Sequence, residues 1–190
     1  MASITKTETT RRQLSAESVQ NRADAAAKLI LAARLCGNTP YLDPAEGERA
    51  LADLDASADE IRGVLRDLRD HVAAEATEQD VGRAIATLIG VFGTPAGANA
   101  KIYTSVMIER VARQQPSIAA LDQAVQQLIG SCRFPPAIAE VLDALSARQA
   151  PISSRLELLS QVDDVRDRLA RRIEHRLAEF ARFRAGNSDR

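Results

Sequence analysis

The chain has 190 residues, a formal net charge of −1 and 45% hydrophobic residues, but only 3% aromatic residues and no tryptophan. This composition is typical of one folded domain with or without a tail, and it excludes a chain that is drawn to nucleic acid by net charge alone. No apolar run is long enough for a transmembrane helix and the N-terminus carries no leader pattern, so we expect a cytoplasmic protein with no membrane partner.

The chain begins with a polar stretch, after which apolar residues recur with the spacing of amphipathic helices. Residues 1–14 are unpatterned, which predicts a disordered arm. From Ser15 onward, apolar residues recur three and four positions apart until Gly37, as expected for a helix. Ser57 with Glu60 has capping-box spacing and predicts that a new helix starts there. Residues typical of helix N-termini mark the starts of the later helices, at Asp43, Ser57, Thr77, Asn99 and Ser117.

The stretch SCRFPPAIAEVLDAL, residues 131–145, predicts a stiff helix start. Pro135 disfavours helical backbone at Phe134, and Pro136 fits the first turn of a helix because its missing N–H costs nothing there. The four-residue spacing of Phe134 and Ile138 predicts that the two side chains pack together as a hydrophobic staple.

The last predicted helix, residues 152–184, carries an apolar stripe that needs a partner, either the rest of the protein or another chain. We therefore expect a helical domain over residues 15–150, a long helix over 151–184 and a disordered tail over 185–190. Because no stretch alternates like a strand, the sequence predicts an all-α fold: a compact multi-helix bundle of about seven helices with a long C-terminal amphipathic helix.

No set of residues has the spacing of a catalytic, metal or cofactor site. The glycine-rich stretch at residues 90–101 lacks the Gly-Lys-Ser/Thr of a phosphate loop. His71 and His175 have no convergent partners, and the carboxylates of Asp163 and Asp164 diverge by about 100° on a helix. We therefore expect a non-enzymatic protein that needs no cofactor.

Residues 117–147 have the outline of a helix-turn-helix motif, but the second helix presents Glu140 and Asp143. These carboxylates repel phosphate, so base reading by this helix is not expected.

Arginines concentrate in the last predicted helix, and two interpretations stay open. They form either a solvated face with i,i+4 pairs to Asp164 and Asp167, or a basic helix that binds an acidic protein groove or single-stranded nucleic acid. The candidate partner-binding residues are Arg166, Arg168, Arg171, Arg172 and Arg176.

A particular order of features runs through residues 81–147: a tyrosine-bearing helix, a proline-started helix, a short turn, and an aromatic residue before two prolines. The residues in this order are Tyr103, Pro116, Phe134, Pro135, Pro136, Ile138, Ala139, Glu140 and Val141. The order resembles the N-terminal helical module of phage replicative-helicase loaders, the loader-and-inhibitor family, and a group of uncharacterised prophage proteins.

The resemblance implies a non-enzymatic protein that binds the hexameric replicative helicase, keeps it inactive and delivers it to an initiator at the origin. It also implies that the helical module is a docking platform and that residues 152–190 contact the helicase. Two alternatives stay open: a structural or regulatory phage protein that forms a homo-oligomer through residues 152–184, and a DNA-binding accessory factor.

Overall fold

The computed structural model describes the backbone of residues 2–188 and the side chains of residues 18–70 and 72–185. Within that range the chain forms seven helices and no strand, with one isolated bridge between Glu75 and Ser117. This confirms the predicted all-α class, the number of helices and the long C-terminal helix. The helices are α1 (Ala2–Asn38), α2 (Pro44–His71), α3 (Glu78–Phe92), α4 (Ala100–Ala112), α5 (Ile118–Ser131), α6 (Ile138–Ser160) and α7 (Val162–Ser188).

Four of the predicted helix starts are confirmed by their cap contacts. The Thr77 hydroxyl accepts a hydrogen bond from the Asp80 N–H at 3.2 Å, and the Asp80 carboxylate accepts one from the Thr77 N–H at 3.0 Å, which completes a capping box. The hydrogen bonds that Thr77 donates lower the pKa of Asp80. The side chains of Asn99, Ser117 and Asp43 likewise accept hydrogen bonds from backbone N–H groups in the first turns of their helices.

The predicted helix start at Ser57 is wrong, because α2 continues through it. No glycine or proline lies in residues 48–62 to end a helix. Leu54, Ala58 and Ile61 lie three and four residues apart and are all buried, so one apolar face runs through the predicted break. A capping-box spacing inside such a face does not end the helix.

The C-terminal helix begins later than predicted. Helix α6 runs through Pro151 to Ser160, Gln161 forms a turn, and α7 begins at Val162. Leu159 and Val162 are both buried and are three residues apart, so the apolar stripe crosses the turn without a change of spacing. Periodicity alone therefore cannot detect this break.

The terminal helices extend further than the sequence predicts. Helix α1 begins at Ala2, within the predicted arm of residues 1–14, and α7 runs to Ser188, within the predicted tail of residues 185–190. No glycine or proline lies between Ala2 and Ser15 to end a helix that has already formed downstream. The side chains of the predicted arm lie outside the described residues.

The chain divides into two compact units. Unit 1 combines Asp67–Ser154 with the chain before Gln20, and unit 2 combines Gln20–Arg66 with the chain from Arg155 onward. One division, between Ser154 and Arg155, lies close to the predicted boundary at residue 150. The sharing of α1 and α2 between the units is not predicted by any local pattern.

In unit 1, α3 packs against α4 and α5. A buried polar contact joins the start of α5 to α6, because the hydroxyl and the N–H of Ser117 both donate to Gln149 Oε1 at 3.0 Å. The neighbouring Pro116 is buried, and its carbonyl accepts a hydrogen bond from Ala76. The larger core residues of this unit are Val81, Ile85, Leu88, Met107, Val111, Leu121, Val125, Leu128, Val141 and Leu145.

In unit 2, the segment from Arg155 to Ile173 lies along both α1 and α2. The ion pairs that link these elements are Asp24–Arg155, Arg62–Asp163 and Asp55–Arg166. The two pairs to α2 make this segment antiparallel to α2. The pair Asp24–Arg155, with the approach of Gly37 to Leu169, makes it parallel to α1. The larger core residues are Ile30, Leu42, Leu54, Ile61, Leu159, Val165, Leu169 and Ile173.

Candidate functional site

Several residues that carry the family resemblance meet at one corner of unit 1. The Tyr103 hydroxyl, on α4, donates a hydrogen bond to the Pro136 carbonyl at 2.6 Å. The Glu140 carboxylate accepts a hydrogen bond from the Ala137 N–H at 2.6 Å. Pro136 is buried, and Pro135 and Ile138 are half-buried. The bond from Tyr103 therefore holds the start of α6 against α4, and the bond to Glu140 caps the first turn of α6.

Phe134 is 78% exposed, so the predicted staple against Ile138 is wrong. Pro136, rather than Phe134, is the buried residue of this turn. Ile102, the neighbour of Tyr103, is also exposed. We call the surface formed by Ile102, Tyr103, Phe134 and Glu140, which lies over the buried Pro136, the Phe134 corner.

Tyr103 makes the stability of this corner dependent on pH. Burial raises the pKa of Tyr103, and the nearby Glu140 carboxylate raises it further. The folded state therefore keeps the phenol proton at a pH where the unfolded chain has lost it. The stabilisation from this group is complete below the unfolded pKa of about 10 and is lost as the pH rises through the folded pKa.

Tyr103→Phe is expected to lower the free energy of unfolding by about 1 kcal/mol at pH 8, because it removes the hydrogen bond to Pro136. The difference between wild type and variant should shrink as the pH rises above about 10. Urea denaturation of both proteins across this pH range measures the effect. A difference that does not vary with pH would contradict the assigned role of the phenol proton.

Three of the five candidate arginines hold α7 onto the rest of unit 2. Arg166 pairs with Asp55 on α2. Arg172 and Arg176 donate to backbone carbonyls in the loop between α1 and α2, at 3.3 and 3.4 Å. The structure thus gives these three guanidinium groups partners within the chain.

The other two candidate arginines, Arg168 and Arg171, are exposed on α7. Their Nε atoms donate to the backbone carbonyls of Asp164 and Asp167, at 3.1 and 3.2 Å. The i,i+4 positions match the sequence interpretation of a solvated face, but the contact is to the backbone rather than to the carboxylates.

The few aromatic residues lie mainly at the surface. Of two tyrosines and four phenylalanines in the chain, Tyr41, Phe134, Phe180 and Phe183 are 85, 78, 47 and 70% exposed. Exposed aromatic side chains are characteristic of protein interfaces, where they contribute much of the binding energy. The sequence shows that aromatic residues are few. It does not show which face of each helix is covered by neighbouring elements.

Three of these aromatic residues lie at one end of unit 2. Leu177, on α7, is also exposed there. The bonds from Arg172 and Arg176 to the loop between α1 and α2 bring this loop against α7. We call the surface formed by Tyr41, Leu177, Phe180 and Phe183 the apolar end of unit 2.

The remaining candidates for a chemical site are a metal-binding cluster, a groove and the two histidines. Among the described residues, no group of three or more His, Cys, Asp or Glu could hold a metal ion. A groove of about 620 Å³ in unit 1 is lined by residues that include Glu78, Ser105, Glu109 and Arg113, but Arg113 already pairs with Glu109. His175 is an exposed residue with its Nδ1 3.7 Å from Glu179. The His71 side chain lies outside the described residues.

Both cysteines have free thiols. Burial raises the pKa of the Cys36 thiol, and Glu46 raises it further, which disfavours the reactive thiolate.

None of the helices in the described part of the chain combines the length and the apolar character that crossing a bilayer requires.

No family model, curated protein or solved structure matches the chain. The resemblance to helicase loaders therefore rests on the motif residues alone.

Proposed function

We propose that this chain is a non-enzymatic protein whose partner is a replicative helicase, which it loads or regulates during phage DNA replication. The proposed contact is the Phe134 corner. The observation that carries the proposal is that the residues of the resemblance build a fixed corner on which Phe134 is exposed.

The corner has the properties of a docking site. Phe134 offers a large apolar side chain, and Ile102 adds a second exposed one. Aromatic anchors of this kind account for a large share of the energy of many interfaces. Because the Tyr103 and Glu140 hydrogen bonds already fix the backbone, little conformational entropy is lost on binding.

The charges around the corner favour a protein over nucleic acid. Glu140 and Asp143 are both exposed on the first turns of α6, where they would repel phosphate groups. Of the arginines on α7, Arg166, Arg172 and Arg176 already bind groups within unit 2. The proposal therefore places the main contact on the corner rather than on the arginine cluster.

Phe134→Ser is expected to weaken binding of the replicative helicase by at least about tenfold, because it removes the apolar anchor without touching the core. Binding of purified full-length chain to the helicase is measured by size exclusion and by titration calorimetry. The matched control is Leu31→Ser, which replaces an exposed apolar residue of α1 in unit 2, outside residues 152–190, and should leave helicase binding unchanged.

Two results would contradict the proposal. One is the absence of a complex between wild-type chain and helicase at micromolar concentrations. The other is equal binding by the wild type and Phe134→Ser when circular dichroism shows both to be folded.

A further inference from the structure

The apolar end of unit 2 continues a buried helix face beyond the part that its own chain covers. Ile173 is buried against α2 and its preceding loop, whereas Leu177 and Phe180 on the same face of α7 are about half exposed. Arg176 still reaches the carbonyl of Leu42, and the residues after it up to residue 185 are all exposed. The face therefore keeps its apolar character where the cover from α1 and α2 ends.

One half of the apolar end is basic. Arg182 and Arg184 are exposed beside Phe180 and Phe183, and no carboxylate among the described side chains pairs with either arginine. The nearby Glu179 is already bound to Arg176 at 2.7 Å. We call Leu177, Phe180, Arg182, Phe183 and Arg184 the basic half.

The other half is acidic. Tyr41 is exposed, and residues 43–49 carry three acidic side chains and one basic side chain, Arg49. Glu46 and Glu48 are exposed on the first turn and a half of α2, and no basic side chain among those described forms an ion pair with them. We call Tyr41, Asp43, Glu46 and Glu48 the acidic half.

We propose that a second copy of this chain covers the apolar end, in a two-fold symmetric dimer in which the basic half of each protomer binds the acidic half of the other. A two-fold axis brings the same surface of both protomers together, so this contact occurs twice in the dimer. The proposal goes beyond the helicase contact, because the Phe134 corner lies in unit 1 and shares no residue with the apolar end.

The charge pattern favours a second copy over other occupants. Single-stranded nucleic acid or an anionic bilayer would be attracted to Arg182 and Arg184, but repelled by Glu46 and Glu48 at the same end of unit 2. A second copy presents the opposite charge to each half. The exposed parts of three aromatic side chains and one leucine supply on the order of 400 Å² of apolar surface per protomer, to which the charged rim adds.

A charge exchange tests this arrangement. The first variant carries Arg182→Glu with Arg184→Glu, and the second carries Glu46→Arg with Glu48→Arg. Each variant alone opposes like charges at both contacts and should sediment as a monomer where the wild type is a dimer. An equimolar mixture restores opposite charges at both contacts, so it should form a heterodimer. Sedimentation velocity at low salt measures all three samples, and circular dichroism checks that each variant is folded.

Two further variants complete the test. Phe183→Ser should raise the dissociation constant of the dimer by at least about tenfold, because it removes an apolar contact. It changes no charge. Phe134→Ser should dimerise as the wild type does, so the dimer and the helicase contact can fail independently. A wild-type protein that stays monomeric at all concentrations would overturn the proposal. This holds also if the monomer binds anionic vesicles or single-stranded DNA instead. A mixture of folded charge variants that stays monomeric would also overturn it.

Discussion

Replacing Gly47 with leucine is expected to lower the free energy of unfolding by about 3 kcal/mol. A Cβ atom at this position would lie 2.8 Å from Ile173 Cγ1 and 3.4 Å from Leu42 Cδ1. Both neighbours are buried, so neither can swing into solvent to make room. The overpacking outweighs the gain in helix propensity from glycine to leucine, which is about 0.8 kcal/mol.

The control for this substitution lies in the same helix. Gly63 is also in α2, but nothing lies within 4 Å of a Cβ built on it. Gly63→Leu is therefore expected to raise the free energy of unfolding by about 0.5–1 kcal/mol through helix propensity alone. Urea denaturation followed by circular dichroism measures both variants. Effects of the same sign at Gly47 and Gly63 would show that the close approach of α2 and α7 is absent.

Ile85→Ala is expected to lower the free energy of unfolding by about 2–5 kcal/mol. Ile85 is fully buried in α3, the helix that packs against both α4 and α5 in unit 1. Truncation of the Ile85 side chain loses the hydrophobic transfer free energy of the removed carbon atoms. It also leaves a cavity that the three packed helices cannot close.

Val91→Ala provides the comparison within α3, because Val91 is largely exposed near the end of the helix. It should change the free energy of unfolding by less than about 0.5 kcal/mol. Thermal and urea denaturation measure both variants. If Ile85→Ala and Val91→Ala lower the free energy of unfolding by similar amounts, the side of α3 directed toward α4 and α5 is not buried.

Features that depend on neighbouring residues were predictable from the sequence. The cap at Thr77 needs only Asp80, three residues away, and the cap at Asn99 needs only the N–H groups of its own first turn. Local spacing gave a false helix start in one place and no signal of a break in another. Ser57 has a cap-like spacing inside a continuous apolar face, and Gln161 interrupts a stripe whose spacing does not change.

The candidate surfaces depend on contacts between residues that are distant in sequence. Arg166 meets Asp55, 111 positions away, so its role within unit 2 could not be read from the charges on α7 alone. The hydrogen bond that holds the turn at Phe134 against α4 joins Tyr103 and Pro136, which are 33 residues apart. Local spacing instead favoured the staple against Ile138. The predicted motif residues do come together, apart from Pro116, which is buried at the start of α5.

The positions of the two tyrosines make the protein its own spectroscopic reporter. With no tryptophan in the chain, near-ultraviolet absorbance and intrinsic fluorescence come mainly from Tyr41 and Tyr103. Tyr41 lies at the apolar end of unit 2 and Tyr103 at the Phe134 corner of unit 1. In a Tyr103→Phe protein the remaining emission reports on the apolar end, and in a Tyr41→Phe protein it reports on the corner. The two surfaces can therefore be followed separately in unlabelled protein.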